Sequence, residues 1–183
     1  MDRLPFRATQ LASPYESIER LPVAVLLDNV RSMYNVGSFF RTADAAAADL
    51  LLLTGITAYP PKSGIRKTAL GAEESMRWEH GCDPLPLLDR LRSQHYQIAA
   101  IETTPHAVDL FDWTPQFPVC IVFGHEVDGI RPEVSAGCDV HVRIPMLGRK
   151  HSLNVATAGG VVLFELLRKY RALSGIPAGD ARH

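Results

Sequence analysis

"VAVLLDNVRSMYNVGSFFRTADAAAADLLLLT", Val23 to Thr54, holds two apolar runs with a helical pattern between them. "VAVLL" (23–27) and "LLLT" (51–54) are apolar on both faces, the pattern of strands covered on either side by helices. Between them Val36, Phe39, Phe40, Ala43 and Ala47 recur at helical spacing, which predicts a helix over 36–48 entered through the polar turn Asp28-Asn29. Arg41 stands in that helix among residues suited to burial. Taken alone, it reads as a surface arginine laying its stem along an apolar face.

The alternation continues along the chain. "IAAI" (98–101), "VCIVF" (119–123) and "VHVRI" (140–144) read as further strands, and helices are predicted over about 68–77, 84–94, 131–136 and 154–172. This order predicts an α/β fold, a mainly parallel sheet flanked by helices. The chain's 183 residues suit one domain with a substantial core. The expected division is an N-terminal extension over 1–21, the domain over 22–173 and a flexible tail over 174–183.

Composition removes several function classes. The apolar fraction of 46% and charged fraction of 21% are those of a soluble globular protein. The start "MDRLPFRATQ" lacks the apolar core of a signal peptide, and no apolar run is long enough to cross a bilayer, so a cytoplasmic protein with no membrane partner is expected. Cys82, Cys120 and Cys138 are odd in number and lack CxxC spacing, so they read as buried small apolar residues. The seven histidines show no HExxH and no paired His/Cys spacing, and no metal is expected. A formal net charge of -1 lacks the overall basic signature of many nucleic-acid binders. A polyanion must then be held locally, at Lys62, Arg66 and Lys67 in "PPKSGIRK" or at Arg149-Lys150; solvated surface charge is the plainer reading of both.

The polar loops after the strands carry the chemistry. "DN" succeeds the first strand, "ETT" the third, "GHEVDG" the fourth and "PMLGRKHSLN" the fifth, and in open parallel sheets ligands bind at that carboxyl edge. "VFGHEVDGI" has GxxxxG spacing without the Lys-Ser/Thr of a P-loop. Glu126 within it suits a helix start or a cation across the site, with Arg41 the obvious partner. In "IPMLGRKHSLNVATAGG", Ser152 or Asn154 is placed to cap the following helix, whose small residues allow another backbone to come close. Its second half, Val162, Leu163, Leu166, Leu167 and Tyr170, suits a core or a subunit contact.

Together "NVRSMYNVGSFFRTAD", "IVFGHEVDGI" and "RIPMLGRKHSLNVATAGG" resemble the three ordered motifs of the SpoU family of RNA ribose 2′-O-methyltransferases, within the SPOUT superfamily. The resemblance spans about residues 22–170. It implies a deep C-terminal trefoil knot, S-adenosylmethionine as cofactor, a homodimer, and a transfer or ribosomal RNA as substrate. General topology rules would vote against a knot. Carried over by residue, Asn35 and Arg41 match the first motif's catalytic pair and Glu126 the second motif's acid. Gly124, Ile144 and Leu153 fall where the cofactor is held largely by backbone groups, with Met146, Ser152 and Asn154 close by and Thr103 in the loop after the third strand. The sequence departs from the family where "AAAAD" (45–49) replaces a helix end that commonly has glycine, and where Ala156 stands for a serine.

As a base, an arginine such as Arg41 must first give up a proton that a guanidinium holds far above neutral pH, a heavy cost. A phosphate grip with stabilisation of the developing alkoxide asks less, and the base remains its rival. Two further readings stand beside catalysis. A silent RNA-binding or dimer-scaffold protein of the same fold is favoured by loss of Asn35, Arg41 or Ser152, all of which are present; a Rossmann enzyme requires a GxGxxG that the first strand lacks.

Overall fold

Two leucine- and valine-rich segments, β1 (Leu21–Asp28) and β2 (Ala48–Thr54), pair in parallel with Val25 opposite Leu51, and α1 (Met33–Ala45) crosses between them. The computed structural model describes residues 19–174. The expected extension lies outside the described residues up to residue 18, as does the tail from residue 175. The remaining elements are α2 (Ser63–Ala69), α3 (Ala72–Ser75), β3 (Trp78–Gly81), α4 (Pro84–Ser93), β4 (Gln97–Ile101), β5 (Val108–Asp109), β6 (Val119–Phe123), α5 (Pro132–Ala136), β7 (Val140–Arg143) and α6 (Val155–Ser174). Among the described residues the strands form one seven-stranded sheet in the order β3-β2-β1-β6-β4-β7-β5, and every strand pairing is parallel.

Alternation along β1 divides the interior. Val23, Val25 and Leu27 face a core shared with Phe39 and Phe40 of α1, Ile65 of α2, and Val162, Leu163 and Leu166 of α6. Ala24 and Leu26 face the opposite layer, with Leu88 and Leu91 of α4 and Val134 of α5. Both faces of the central strands are therefore covered, as the all-apolar runs required. In the first layer α6 lies so close to α1 that a Cβ on Gly159 would run into the Phe39 ring, which itself packs 5.0 Å from Phe123.

The α/β architecture matches the expectation, with local corrections. The helix placed at 36–48 begins at Met33, because the Ser32 hydroxyl accepts the Asn35 N–H at 3.3 Å as an N-cap. It stops at Ala45, Ala47 turns to φ 54°, and Ala48 already belongs to β2. The helix placed at 68–77 is two short ones, parted by Leu70 at φ 56° and Gly71 at φ 99°. β3 and β5 were not anticipated; both lie at sheet edges, where polar residues are tolerated. Of the cysteines Cys120 is buried and Cys138 half-buried, but Cys82 is exposed. Burial pushes the Cys138 thiol up to about 11 and raises that of Cys120 as well. No helix of the described residues is long and apolar enough to cross a membrane.

Candidate functional site

The carboxyl ends of β4, β6 and β7 open onto one cleft of about 370 Å3, floored by Ile101, Phe123, Arg143 and Ile144. One wall is the turn after β6, where His125 and Gly129 exchange backbone hydrogen bonds of 3.0 Å each. Gly124 makes that turn possible, since a Cβ there would collide with the Gly129 carbonyl. The other wall is the segment from Met146 to Val155 leading into α6.

Thr103, Gly124, Ile144, Met146, Ser152, Leu153 and Asn154 all line this cleft, and so does Glu126. Asn35 and Arg41 are not among its walls. Asn35 stands at the rim, tied to two lining residues: its Nδ2 donates to Glu126 Oε1 at 3.0 Å, and its Oδ1 accepts from Asn154 Nδ2 at 3.2 Å. Residues from three separated segments thus share one hydrogen-bonded relay. Arg41 is exposed further along α1.

Both ends of the relay sit on helix starts. Glu126 Oε2 accepts the N–H of Arg31 at 2.9 Å and Oε1 that of Ser32 at 3.0 Å, just ahead of α1. Asn154 Oδ1 accepts the N–H of Ala156 at 2.9 Å and of Thr157 at 3.3 Å, so Asn154 rather than Ser152 caps α6. Of the two roles open to Glu126, a helix start or a cation, its hydrogen bonds serve the first: they go to the backbone just ahead of α1 and to Asn35. Partial desolvation raises the Glu126 pKa, but the N–H groups of Arg31, Ser32 and its own backbone and the Asn35 amide outweigh it, and the carboxyl lies below its ordinary range.

Other side chains at the site were not singled out from the sequence. Glu102, His125, Asp128, Arg143 and His151 also line the cleft. Glu102 is the first residue of "ETT", so its loop was legible although its direction was not. Asp28, read only as part of a polar turn, is 1% exposed and accepts the Arg131 guanidinium at 2.8 and 3.2 Å and the Thr54 hydroxyl at 2.8 Å. It fastens the end of β1 to the start of α5. No group of three His, Cys, Asp or Glu placed to hold a metal exists among the described residues.

Residues 22–164, from β1 well into α6 and across every segment of the cleft, match the sequence profile of the SpoU rRNA Methylase family. The chain belongs to the SpoU family. The 23S rRNA (guanosine-2′-O-)-methyltransferase RlmB of Haemophilus ducreyi is 34% identical to it over 149 residues, 81% of this chain and 60% of that protein. This SpoU-family chain spans about 60% of the length of the curated relatives it matches. Among solved structures, the A. aeolicus TrmH/SpoU tRNA modifying enzyme superposes with a TM-score of 0.74 at 28% identity, covering 85% of this chain and 78% of that one. The SpoU methyltransferase AviRb from Streptomyces viridochromogenes in complex with AdoMet gives a TM-score of 0.75 at 26% identity, covering 85% and 63%. The parallel sheet with helices on both faces is thus the SpoU architecture.

Proposed function

We propose that this chain transfers the methyl group of S-adenosylmethionine to a ribose 2′-hydroxyl of a transfer or ribosomal RNA. The observation that carries this reading is the Glu126–Asn35–Asn154 relay at the rim of the cleft, which joins the three motif segments at one point. The AviRb neighbour, solved in complex with AdoMet, and the RlmB relative, named for 2′-O methylation, support it.

The residues present fit the cofactor. Apolar walls from Ile101, Phe123, Ile144 and Leu153 adjoin the carboxylates of Glu102, Glu126 and Asp128, a lining suited to a flat ring system carrying cationic groups elsewhere. Thr103, Gly124, Ile144, Met146, Ser152, Leu153 and Asn154 would hold it, Gly124 leaving main chain bare on one side. When bound, the sulfonium supplies an activated methyl group to an oxygen nucleophile.

The chain's own residues orient and stabilise. Asn35 is fixed through both its oxygen and its nitrogen, and Glu126, held below the usual carboxylate range, stays ionised at neutral pH. Arg41, exposed on α1, grips a phosphate beside the target ribose and stabilises the developing alkoxide. The reading includes a single methyltransferase domain over 22–173, a C-terminal knot, and a homodimer that widens the surface offered to RNA.

Titration calorimetry of S-adenosylmethionine into wild type and Leu153→Arg tests the site. Binding by wild type and its loss in the variant are expected; equal affinity would reject this cleft. Light scattering checks the dimer, which a fully active monomer of 20.2 kDa contradicts.

A further inference from the structure

The basic stretch "PPKSGIRK" and the aromatic side chains beside it have no part in the cleft. Tyr59, in the loop after β2, lies on His80 of β3 with ring centroids 4.0 Å apart and 36° between planes, and on Trp78 at 6.3 Å and 30°. Trp78 is anchored in turn, edge-on, against the buried ring of Phe40 at 6.4 Å. The stack stands at the outer edge of the sheet, where β3 is the terminal strand. Its outer members are open: Tyr59 is 41% exposed, and His80 is exposed as well.

Lys62, Arg66 and Lys67 come soon after Tyr59 in the chain and are all exposed. Arg66 reaches Glu73 at 3.7 Å, whereas Lys62 and Lys67 form no ion pair with any described residue. Flat exposed rings followed closely in the chain by such cations match the chemistry of single-stranded RNA, whose bases stack on aromatic side chains while its phosphates track positive charge.

The position relative to the cleft is fixed. β3, β2, β1 and β6 are successive neighbours, so the stack lies about 14 Å from the β6 end of the cleft at the usual strand spacing. Both stand at the carboxyl edge. Hydrogen bonds hold the intervening loops: Asn29 Oδ1 accepts the Ile56 N–H at 3.1 Å, and Glu126 accepts those of Arg31 and Ser32.

We infer that Tyr59 and His80 stack a base of single-stranded RNA and that Lys62 and Lys67 hold its phosphates, a few nucleotides from the one presented to the cleft. This rests on RNA being the substrate, as proposed above, and adds the surface that grips it.

Fluorescence anisotropy with a fluorescein-labelled, mixed-sequence, 12-nucleotide single-stranded RNA tests the surface, with calorimetric affinity for S-adenosylmethionine and light scattering measured on each variant. Tyr59→Ala is expected to weaken RNA binding about tenfold, and Tyr59→Phe to retain it. His80→Ala, at an exposed position, gives an independent loss if Tyr59→Ala proves poorly folded. Lys62→Gln with Lys67→Gln should lower the slope of log affinity against log salt by about 1.4, two single-strand phosphate contacts. Cofactor affinity and assembly should not change in any of them. If wild type methylates and binds RNA while all these variants bind it as tightly, this surface is refuted and the methyltransferase reading stands. If wild type does not bind this RNA, the surface is refuted, and the methyltransferase reading is decided separately by label transfer to transfer and ribosomal RNA. A change of oligomeric state in Tyr59→Ala would make the face a contact between copies and overturn the RNA assignment.

Discussion

Asn154 donates from Nδ2 to Oδ1 of Asn35 at 3.2 Å, joining residues 119 apart in the chain. Asn35 passes the connection to Glu126, and Asn154 caps α6, so a single amide pair couples the starts of two helices at the rim of the cleft. An amide held at both ends has one orientation, and that is what a positioning group requires.

Removing either amide should therefore cost stability, and the two losses should not add. Asn35→Ala and Asn154→Ala are each expected to cost about 1 kcal/mol, the second through the lost helix cap. The double variant should fall short of the sum by about 0.5 kcal/mol or more, because the shared bond is counted once. Urea unfolding of the four proteins decides it; strict additivity would separate the two residues.

Glu126 gives the relay a pH dependence with a definite sign. Its folded pKa lies below its unfolded value of about 4.3, so its contribution is present above that pH and is lost as pH falls through the folded value. Wild type should thus lose its advantage over Glu126→Gln on acidification below about pH 4.3, with a steady difference at neutral pH. Urea midpoints across a pH series measure this, and parallel curves down to the acid limit would refute it.

The contact of α6 with α1 predicts a steric defect. Gly159→Ala places a methyl group in the Phe39 ring and should cost about 1–3 kcal/mol, part of which Phe39→Leu recovers. Thermal unfolding of the single and double variants reads both effects. Full stability in Gly159→Ala would mean that the helices separate without cost.

Ala47 predicts a gain. At φ 54° it occupies the left-handed region, so Ala47→Gly should stabilise by up to about 1 kcal/mol. A lower melting temperature would argue against that conformation.

The sheet and its two helix layers were legible because the central strands are apolar on both faces, and that pattern admits few other folds. Edge strand β3 was not, since "WEHG" carries no apolar run and is a strand only because β2 offers it a partner. The alanines at 45–48 misled for the opposite reason: their helix propensity is real, but Ala47 and Ala48 must turn and enter β2. At the site, the loops and every residue expected from the sequence to hold the cofactor line one cleft. Direction was the missing information. Nothing in the sequence showed that Glu126 would point at the amides of Arg31 and Ser32, because that contact crosses 95 residues and depends on the order of β1 and β6 in the sheet. The anchoring of Asp28 by Arg131, 103 residues away, was hidden likewise.

The atom that receives the methyl group decides the account most directly. Wild type, Arg41→Ala and Arg41→Lys are incubated in single turnover with methyl-labelled S-adenosylmethionine and separated transfer and ribosomal RNA, and the digested nucleosides are read by mass spectrometry. The label is expected on a ribose 2′-oxygen. Both variants should be slower by about tenfold or more with cofactor affinity unchanged, since lysine keeps the charge but loses the planar fork. Label on a base, or wild-type transfer by Arg41→Ala, would contradict it.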